Sequence, residues 1–401
     1  MSRFSHESIY EEACRKGELP GAVLVAADAT GKFQYAKAFG ETAYGEKLSA
    51  DSVMWIASCT KLMTSVAALQ QVDRGNIGLD EDLSRVLPEL AALEVLEGFN
   101  SEDKPILKKR EGVITLRLLL SHASGLGYEI LDPNLQRFAA SDTPSAKPPR
   151  TIVSEISRPL VYHPGRGWAY STGIDWAGQL VERLSGLRLE QYMRVNIWEP
   201  LGMWHMSFDP DSSPELKKRK VGMSLRNEAG QLIPTTEGYY YQYSERDGAY
   251  GGSSAWGSAE SYLKLLQTLC ANDGRVLSRD LVDEMFRPQL GPEGKAILNH
   301  QLKTYDVPKR VFANSFDVET QDFDYGLGGA IGLKDVVGRR AAGTMSWGGL
   351  PNLIWWIDRR EGLCGACFTQ LLPMGDVNAN NLEALFEKAI YERYEEFLRE
   401  I

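Results

Sequence analysis

The chain has 401 residues, 43% of them hydrophobic and 24% charged, and a formal net charge of -10. That is ordinary globular composition, and the acidic balance argues against nucleic acid or an anionic membrane as a partner. No apolar run approaches the roughly 20 residues that span a bilayer.

The opening stretch, MSRFSHESIYEEACRKGELPG, has no apolar segment of the signal-peptide kind, so a cytoplasmic protein is expected. Residues 7–17 read as a short helix that ends at the turn Glu18-Leu19-Pro20-Gly21. AVLVAA (22–27) reads as a strand, DATGK as a turn and FQYAKAFG as the hairpin partner. After the apolar approach WIAS, the segment KLMTSVAALQQVDRG reads as a helix with Leu62, Val66 and Leu69 on one stripe, stopped by Gly75 as a C-cap. From about 60 to 275 the chain is mostly helical with long loops, as in TLRLLLSHA (115–123), DWAGQLVERLSG (175–186) and LEQYMRVNIWEPLG (189–202). NLIWWID (352–358), the turn RREG and LCGACFTQ (363–370) repeat the hairpin signature, and NNLEALFEKAIYERYEEFLRE (380–400) closes the chain as an amphipathic helix.

The simplest architecture is α+β. One antiparallel sheet is built from both ends of the chain, about 1–57 and 276–401, and is flanked by helices. A mainly helical region, about 58–275, is inserted between them, and the whole forms one domain. A cleft between sheet and helical region is where a site is expected.

The five cysteines, Cys14, Cys59, Cys270, Cys364 and Cys367, are few, odd in number and scattered, which fits a reducing compartment. Cys364 and Cys367 form a CxxC, but residues three apart on a strand point to opposite faces, so they read as core cysteines. The histidines His6, His122, His163, His205 and His300 show neither HxxxH nor HxH spacing, so no metal site is expected.

Ser-x-x-Lys occurs three times, at Ser58, Ser101 and Ser261, so spacing alone decides nothing. Ser101 lies in FNSEDKP, a polar loop. Ser261 lies in AESYLKLLQTLC, an amphipathic helix whose Lys264 can face solvent. Ser58 sits at the first turn of a largely buried helix with Lys61 on the same face. The helix N-terminus favours negative charge developing at the serine, and desolvation should lower the pKa of the lysine. A neutral amine can then take the serine proton. The competing reading is a serine cap with a snorkelling lysine.

Acyl-enzyme chemistry also needs a proton relay and an oxyanion hole. Tyr170 follows the tight turn Pro164-Gly165-Arg166-Gly167 and precedes a helix starting near Gly173, so it is either a relay in the cleft or packing. A tyrosine beside a lysine can share its proton as a coupled pair. Trp347-Gly348-Gly349 reads as the opening of a strand, and amides near Gly349 and Leu350 are candidate oxyanion donors; the alternative is a bulge or tight turn. Gly251-Gly252 is either a cleft-lining loop or a turn.

Taken together, these segments resemble the serine β-lactamase/penicillin-binding-protein superfamily. The order Ser-x-x-Lys, then Tyr about 110 residues on, then a Gly-rich strand near the C-terminus is that superfamily's, as is LLLSHASGLGY (118–128). SCTKLMTSVAALQ, LEVLEGF, GWAYSTGIDWAGQLVERLSGLRLEQYM, DYGLGGAIGL and SWGGLPNLIWWID are similar to the fungal polyketide acyltransferases of the lovastatin type and to related esterases. The resemblance runs almost end to end.

It implies a β-lactamase-like fold with Ser58 as nucleophile, Lys61 as activating base and Tyr170 as relay. It makes the amides of Ser58 and Leu350 the oxyanion hole and requires no cofactor. Trp347, Gly348, Gly349, Tyr250, Gly252 and Trp55 are the candidate substrate-binding residues, with Tyr128, Tyr239, Tyr240 and Tyr241 as further aromatic supply.

Two departures narrow the function. Trp347-Gly348-Gly349 replaces the Lys-Thr-Gly of β-lactamases and DD-peptidases, removing a cation that holds a substrate carboxylate. Tyr170-Ser171-Thr172 replaces their Tyr-x-Asn. A β-lactam or D-amino-acid peptide hydrolase is therefore disfavoured, and no Gly-x-Ser-x-Gly supports an ordinary α/β-hydrolase. The expected partner is a small-molecule ester or thioester of apolar, polyketide-like character. An acyl-carrier protein is a candidate donor, and it would need a basic or apolar docking patch. Transfer to an alcohol and hydrolysis by water share the acyl-enzyme and stay open, as does a non-catalytic binding role.

Overall fold

The computed structural model describes residues 5–141, 151–236, 248–304 and 320–401. Tyr239, Tyr240 and Tyr241 lie outside them. The seven-stranded antiparallel sheet takes two strands from the N-terminal side, β1 (Gly21–Asp28) and β2 (Gln34–Gly40). The C-terminal side supplies β3 (Phe323–Tyr325), β4 (Ala330–Gly332), β5 (Met345–Gly349), β6 (Leu353–Asp358) and β7 (Leu363–Phe368). The order is β3-β4-β5-β6-β7-β1-β2. β1 therefore pairs with its hairpin partner on one side and with β7 on the other, Val23 opposite Phe368 and Asp28 opposite Leu363. All eight residues of β1 are buried, as its Val- and Ala-rich run requires of a strand covered on both faces.

One face carries α1 (Ser5–Arg15) and the closing helix α5 (Val377–Glu400). Tyr10 of α1 meets Phe39 of β2 at 5.2 Å between ring centroids, and Phe386 of α5 meets Trp356 of β6 at 5.7 Å. The opposite face carries α4 (Ala259–Ala271), whose Tyr262 ring lies 5.5 Å from Phe368. Cys364 sits beside Cys270 of α4, while Cys367 faces Tyr10 of α1, so the CxxC spans the sheet as core filling. Among the described residues no helix is long and apolar enough to cross a membrane.

Between β2 and β3 lie α2 (Thr60–Asp73) and α3 (Gly173–Ser185), packed on each other. An apolar stripe is too narrow a description of α2, because every residue from Thr60 to Gln71 is buried. The helix is surrounded, so its polar residues Lys61, Thr64, Gln70 and Gln71 need internal partners. It ends as expected, with Gly75 at φ 70°. Short strands also lie outside the main sheet. Met54–Trp55, Trp256–Gly257 and Met206–Ser207 form one small sheet, and Val95–Phe99 pairs with Pro105–Lys108. A second small sheet joins Met223–Arg226, Leu232–Thr235 and Leu371–Leu372. Trp347-Gly348-Gly349 does not open a strand. It closes β5, and the following strand starts only at Leu353, after a turn in which Asn352 has φ 56°.

Candidate active site

The nucleophile candidate lies in a single 3-10 turn, Ala57–Cys59, that runs directly into α2. Ala57 has φ 44°, a left-handed conformation costing a non-glycine residue on the order of 1 kcal/mol or more. The strained turn leaves Ser58 partly exposed, while Cys59 and Thr60 are fully buried. As the second residue of a helical run, Ser58 has an amide with no intrahelical acceptor.

One turn on, Lys61 is 1% exposed. Its Nζ donates to Ser58 Oγ at 3.2 Å and to the Gly252 carbonyl at 2.8 Å. It also lies over the faces of Tyr170 and Tyr128, 4.7 and 5.4 Å from the ring centroids. Tyr170 comes from the loop before α3. Its hydroxyl donates to Ser58 Oγ at 2.8 Å and accepts from Trp347 Nε1 at 3.2 Å. The ring is wedged between His122, Tyr128 and Trp347, with centroids 4.8, 5.2 and 5.2 Å away. The structure thus brings Ser58, Lys61, Tyr170, Gly252 and Trp347 together.

Gly349 closes the other wall. A Cβ there would stand 2.6 Å from the Ile56 carbonyl and 3.3 Å from Cys59 Sγ, so the end of β5 lies directly against the Ser58 turn. Leu350 follows at once. The two backbones carrying the Ser58 and Leu350 amides are neighbours. Trp55 and Tyr250 are largely buried. The Trp55 indole donates to Ser253 O at 2.8 Å, and the Tyr250 hydroxyl bonds Glu155. Trp55 and Ala57 pack with Met223, Leu372, Leu350 and Trp256 in an apolar cluster separate from the main core.

Of the other two Ser-x-x-Lys copies, the Ser101 one is as expected and the Ser261 one is not. Ser101 and Lys104 are exposed in a turn. Ser261 is buried and accepts from the His205 amide, and Lys264 caps the Gly202 carbonyl rather than pointing free into solvent.

Sequence reasoning missed two buried polar residues at this site. Asp175, in the first turn of α3, is 2% exposed. It accepts from the Gly252 amide at 2.8 Å and from the Tyr128 hydroxyl at 3.5 Å. Burial pushes its pKa up to about 6, against the Lys61 charge and the Gly252 amide, which favour the carboxylate. The available signal was an acid between Ile174 and Trp176 in an otherwise apolar helix face. His122 is fully buried at φ 58°. Its Nδ1 accepts from the Ser171 amide at 3.2 Å, which places the ring proton on Nε2. Burial and the Lys61 charge push its pKa well below the ordinary value, so the ring is neutral.

An antiparallel sheet covered by helices on both faces, with a Ser-x-x-Lys pair entering a buried helix and a tyrosine across from it, defines a β-lactamase-like protein of the Ser-x-x-Lys class. The Beta-lactamase family matches residues 7–389, and the chain belongs to that family. It is 36% identical over 399 residues to a monacolin J acid methylbutanoyltransferase of Aspergillus terreus, covering 97% of this chain and 96% of that one. It is 38% identical over 396 residues to a lovastatin esterase of Penicillium rubens, covering 97% and 98%. Unliganded simvastatin synthase (LovD) from Aspergillus terreus superposes with a TM-score of 0.90 at 34% identity, covering 98% of this chain and 99% of that one. The protein is an enzyme of the acyltransferase and ester-hydrolase kind.

Proposed function

We propose that the protein is an acyltransferase that forms an acyl-enzyme at Ser58, taking the acyl group from a thioester or ester. It passes the group to an alcohol on an apolar, polyketide-like small molecule. The observation that carries this reading is that Ser58 Oγ is held at once by Lys61 Nζ at 3.2 Å and the Tyr170 hydroxyl at 2.8 Å. A serine cap would have no use for both.

Lys61 takes the Ser58 proton as Oγ attacks the acyl carbonyl. The tetrahedral oxyanion accepts from the amides of Ser58 and Leu350. Its collapse expels the thiolate or alkoxide, which takes the Tyr170 proton, and Tyr170 is reprotonated from Lys61. The acceptor alcohol then gives its proton to the same pair and attacks the acyl-serine, and Ser58 Oγ regains a proton on leaving. Asp175, Tyr128 and the Gly252 carbonyl hold Lys61 in line.

Trp347 in place of a cation leaves an apolar wall where a substrate carboxylate would otherwise be held, which supports a neutral, bulky substrate. The sheet region (about 1–57 and 276–401) and the helical region (about 58–275) act as one catalytic unit. Water in place of the alcohol makes the same intermediate an esterase. The similarity to a lovastatin esterase supports that second reading. An acyl-carrier protein is one class of donor that the thioester chemistry admits.

Intact-protein mass spectrometry after brief incubation with a short-chain acyl thioester tests the proposal. Wild type should gain the acyl mass and Ser58→Ala should not. Discharge of the adduct by added alcohol but not by water marks a transferase, and rapid discharge by water an esterase. A folded wild type that takes no label would remove the nucleophile.

A further inference from the structure

Among the described residues, the strand that leads to Ser58, Met54–Trp55, is an edge strand that pairs with Trp256–Gly257 alone. An edge strand leaves backbone groups that must find partners when buried. At Trp55 the partner is a side chain. Gln370 Oε1 accepts from the Trp55 amide at 3.2 Å, and its Nε2 donates to the Trp55 carbonyl at 3.0 Å. The Gln370 carboxamide, 2% exposed, takes the place of one residue of a neighbouring strand.

The residue before it grips the other wall. Thr369 Oγ1 donates to the carbonyls of Pro351 and Asn352 at 2.5 and 3.0 Å. The Asn352 side chain closes the same turn. Its Nδ2 donates to the Leu371 and Pro373 carbonyls, and its Oδ1 accepts from the Gly375 and Asp376 amides, all between 2.8 and 3.1 Å. Two adjacent residues thus hold the strand leading to Ser58 and the turn following Leu350.

We infer that Gln370 and Thr369 are positioning residues that fix the spacing of the Ser58 and Leu350 amides, and so stabilise the oxyanion rather than bind substrate. This rests on the acyl-enzyme reading above. A hole whose donors come from two separate segments is only as good as the clamp between those segments, because its effect depends on donors placed to within a few tenths of an ångström. Both side chains are almost fully buried and bonded to backbone, so the effect belongs in the acylation step.

The test compares Gln370→Met, which keeps volume but removes both hydrogen bonds to Trp55 and the one from Nε2 to the Thr369 carbonyl, with Gln71→Met. Gln71 is equally buried in α2 and bonds the Tyr192 hydroxyl at 2.7 Å. Single-turnover acylation by an activated short-chain ester and binding of an alkyl boronic acid, a tetrahedral mimic, are measured with thermal stability. Gln370→Met should slow saturated acylation about tenfold or more and weaken the boronate in step, with the half-saturating ester concentration unchanged within about twofold.

Gln71→Met should lose stability without that signature. A folded Gln370→Met with wild-type acylation and boronate affinity, or an equal loss in Gln71→Met, overturns the inference. Should Gln370→Met not fold, Thr369→Val decides by the same readouts. If wild type takes no acyl label at Ser58, the acyl-enzyme reading fails and this inference fails with it. Labelling of wild type with an unimpaired Gln370→Met sinks the clamp alone.

Discussion

At the level of single residues, the site converges on Gly252. A Cβ placed there would lie 3.0 Å from Asp175 Oδ1, 3.1 Å from Lys61 Nζ and 3.1 Å from the Tyr128 hydroxyl. Three polar groups share one small space, and only a residue without a side chain leaves it to them. Asp175 is the costly member. Burial holds its pKa at about 6 against an ordinary 3.8. Its contribution to stability is therefore fullest below the ordinary value and is lost as pH rises through about 6. Two units correspond to about 3 kcal/mol. Asp175→Asn should gain stability relative to wild type by up to that amount between about pH 4 and pH 7, measured by denaturant unfolding at each pH. A difference that stays flat across that range would place the titration elsewhere. The aspartate escaped sequence reasoning because its partners, Lys61 and Gly252, are distant in the chain and meet it only through tertiary packing.

At the level of elements, local patterns that carry their own physics were readable. The hairpins around DATGK and RREG, the Gly75 stop and the start of α3 at Gly173 follow from turn and cap chemistry within a few residues. Burial separates Ser58 from the exposed Ser101, but Ser261 also lies in the first turn of a buried helix; what separates it is the lysine, which meets Ser58 at Lys61 and turns to the Gly202 carbonyl at Lys264. What failed was the direction of Trp347-Gly348-Gly349. A glycine pair looks the same at either end of a strand. Its placement at the close of β5 is set by the Ile56 carbonyl, nearly three hundred residues earlier in the chain. Gly349→Ala tests that contact. With backbone 2.6 Å from the new Cβ, β5 must retreat from the Ser58 turn. Turnover of an activated ester should fall by about tenfold or more, while the unfolding midpoint shifts modestly. Retained turnover would show that the wall spacing is not critical.

At the level of the whole molecule, the closing helix does more than cover the sheet. Glu387 of α5 is buried and receives both nitrogens of the Arg340 fork at 2.7 and 2.9 Å, plus Arg339 at 2.6 Å. Arg340 passes the connection to Ser346 of β5 at 3.1 Å. Removing one partner leaves buried charge uncompensated, so Glu387→Ala should cost about 3–5 kcal/mol in equilibrium unfolding. A cost under about 1 kcal/mol would mean that water replaces the carboxylate. None of this was visible in the helical periodicity of 380–400, which marks the buried face without naming what it meets.

The pairing of β1 with β7 has a consequence for how the protein comes into being. During synthesis Ser58, Lys61 and Tyr170 all leave the ribosome while β1 still lacks a neighbour on one side. The chain must hold an unfinished sheet edge open until residues near 368 arrive, and such edges invite pairing with other chains. Activity therefore starts late and all at once. A nascent chain cut short before β7 would carry Ser58, Lys61 and Tyr170 and have no scaffold on which to align them.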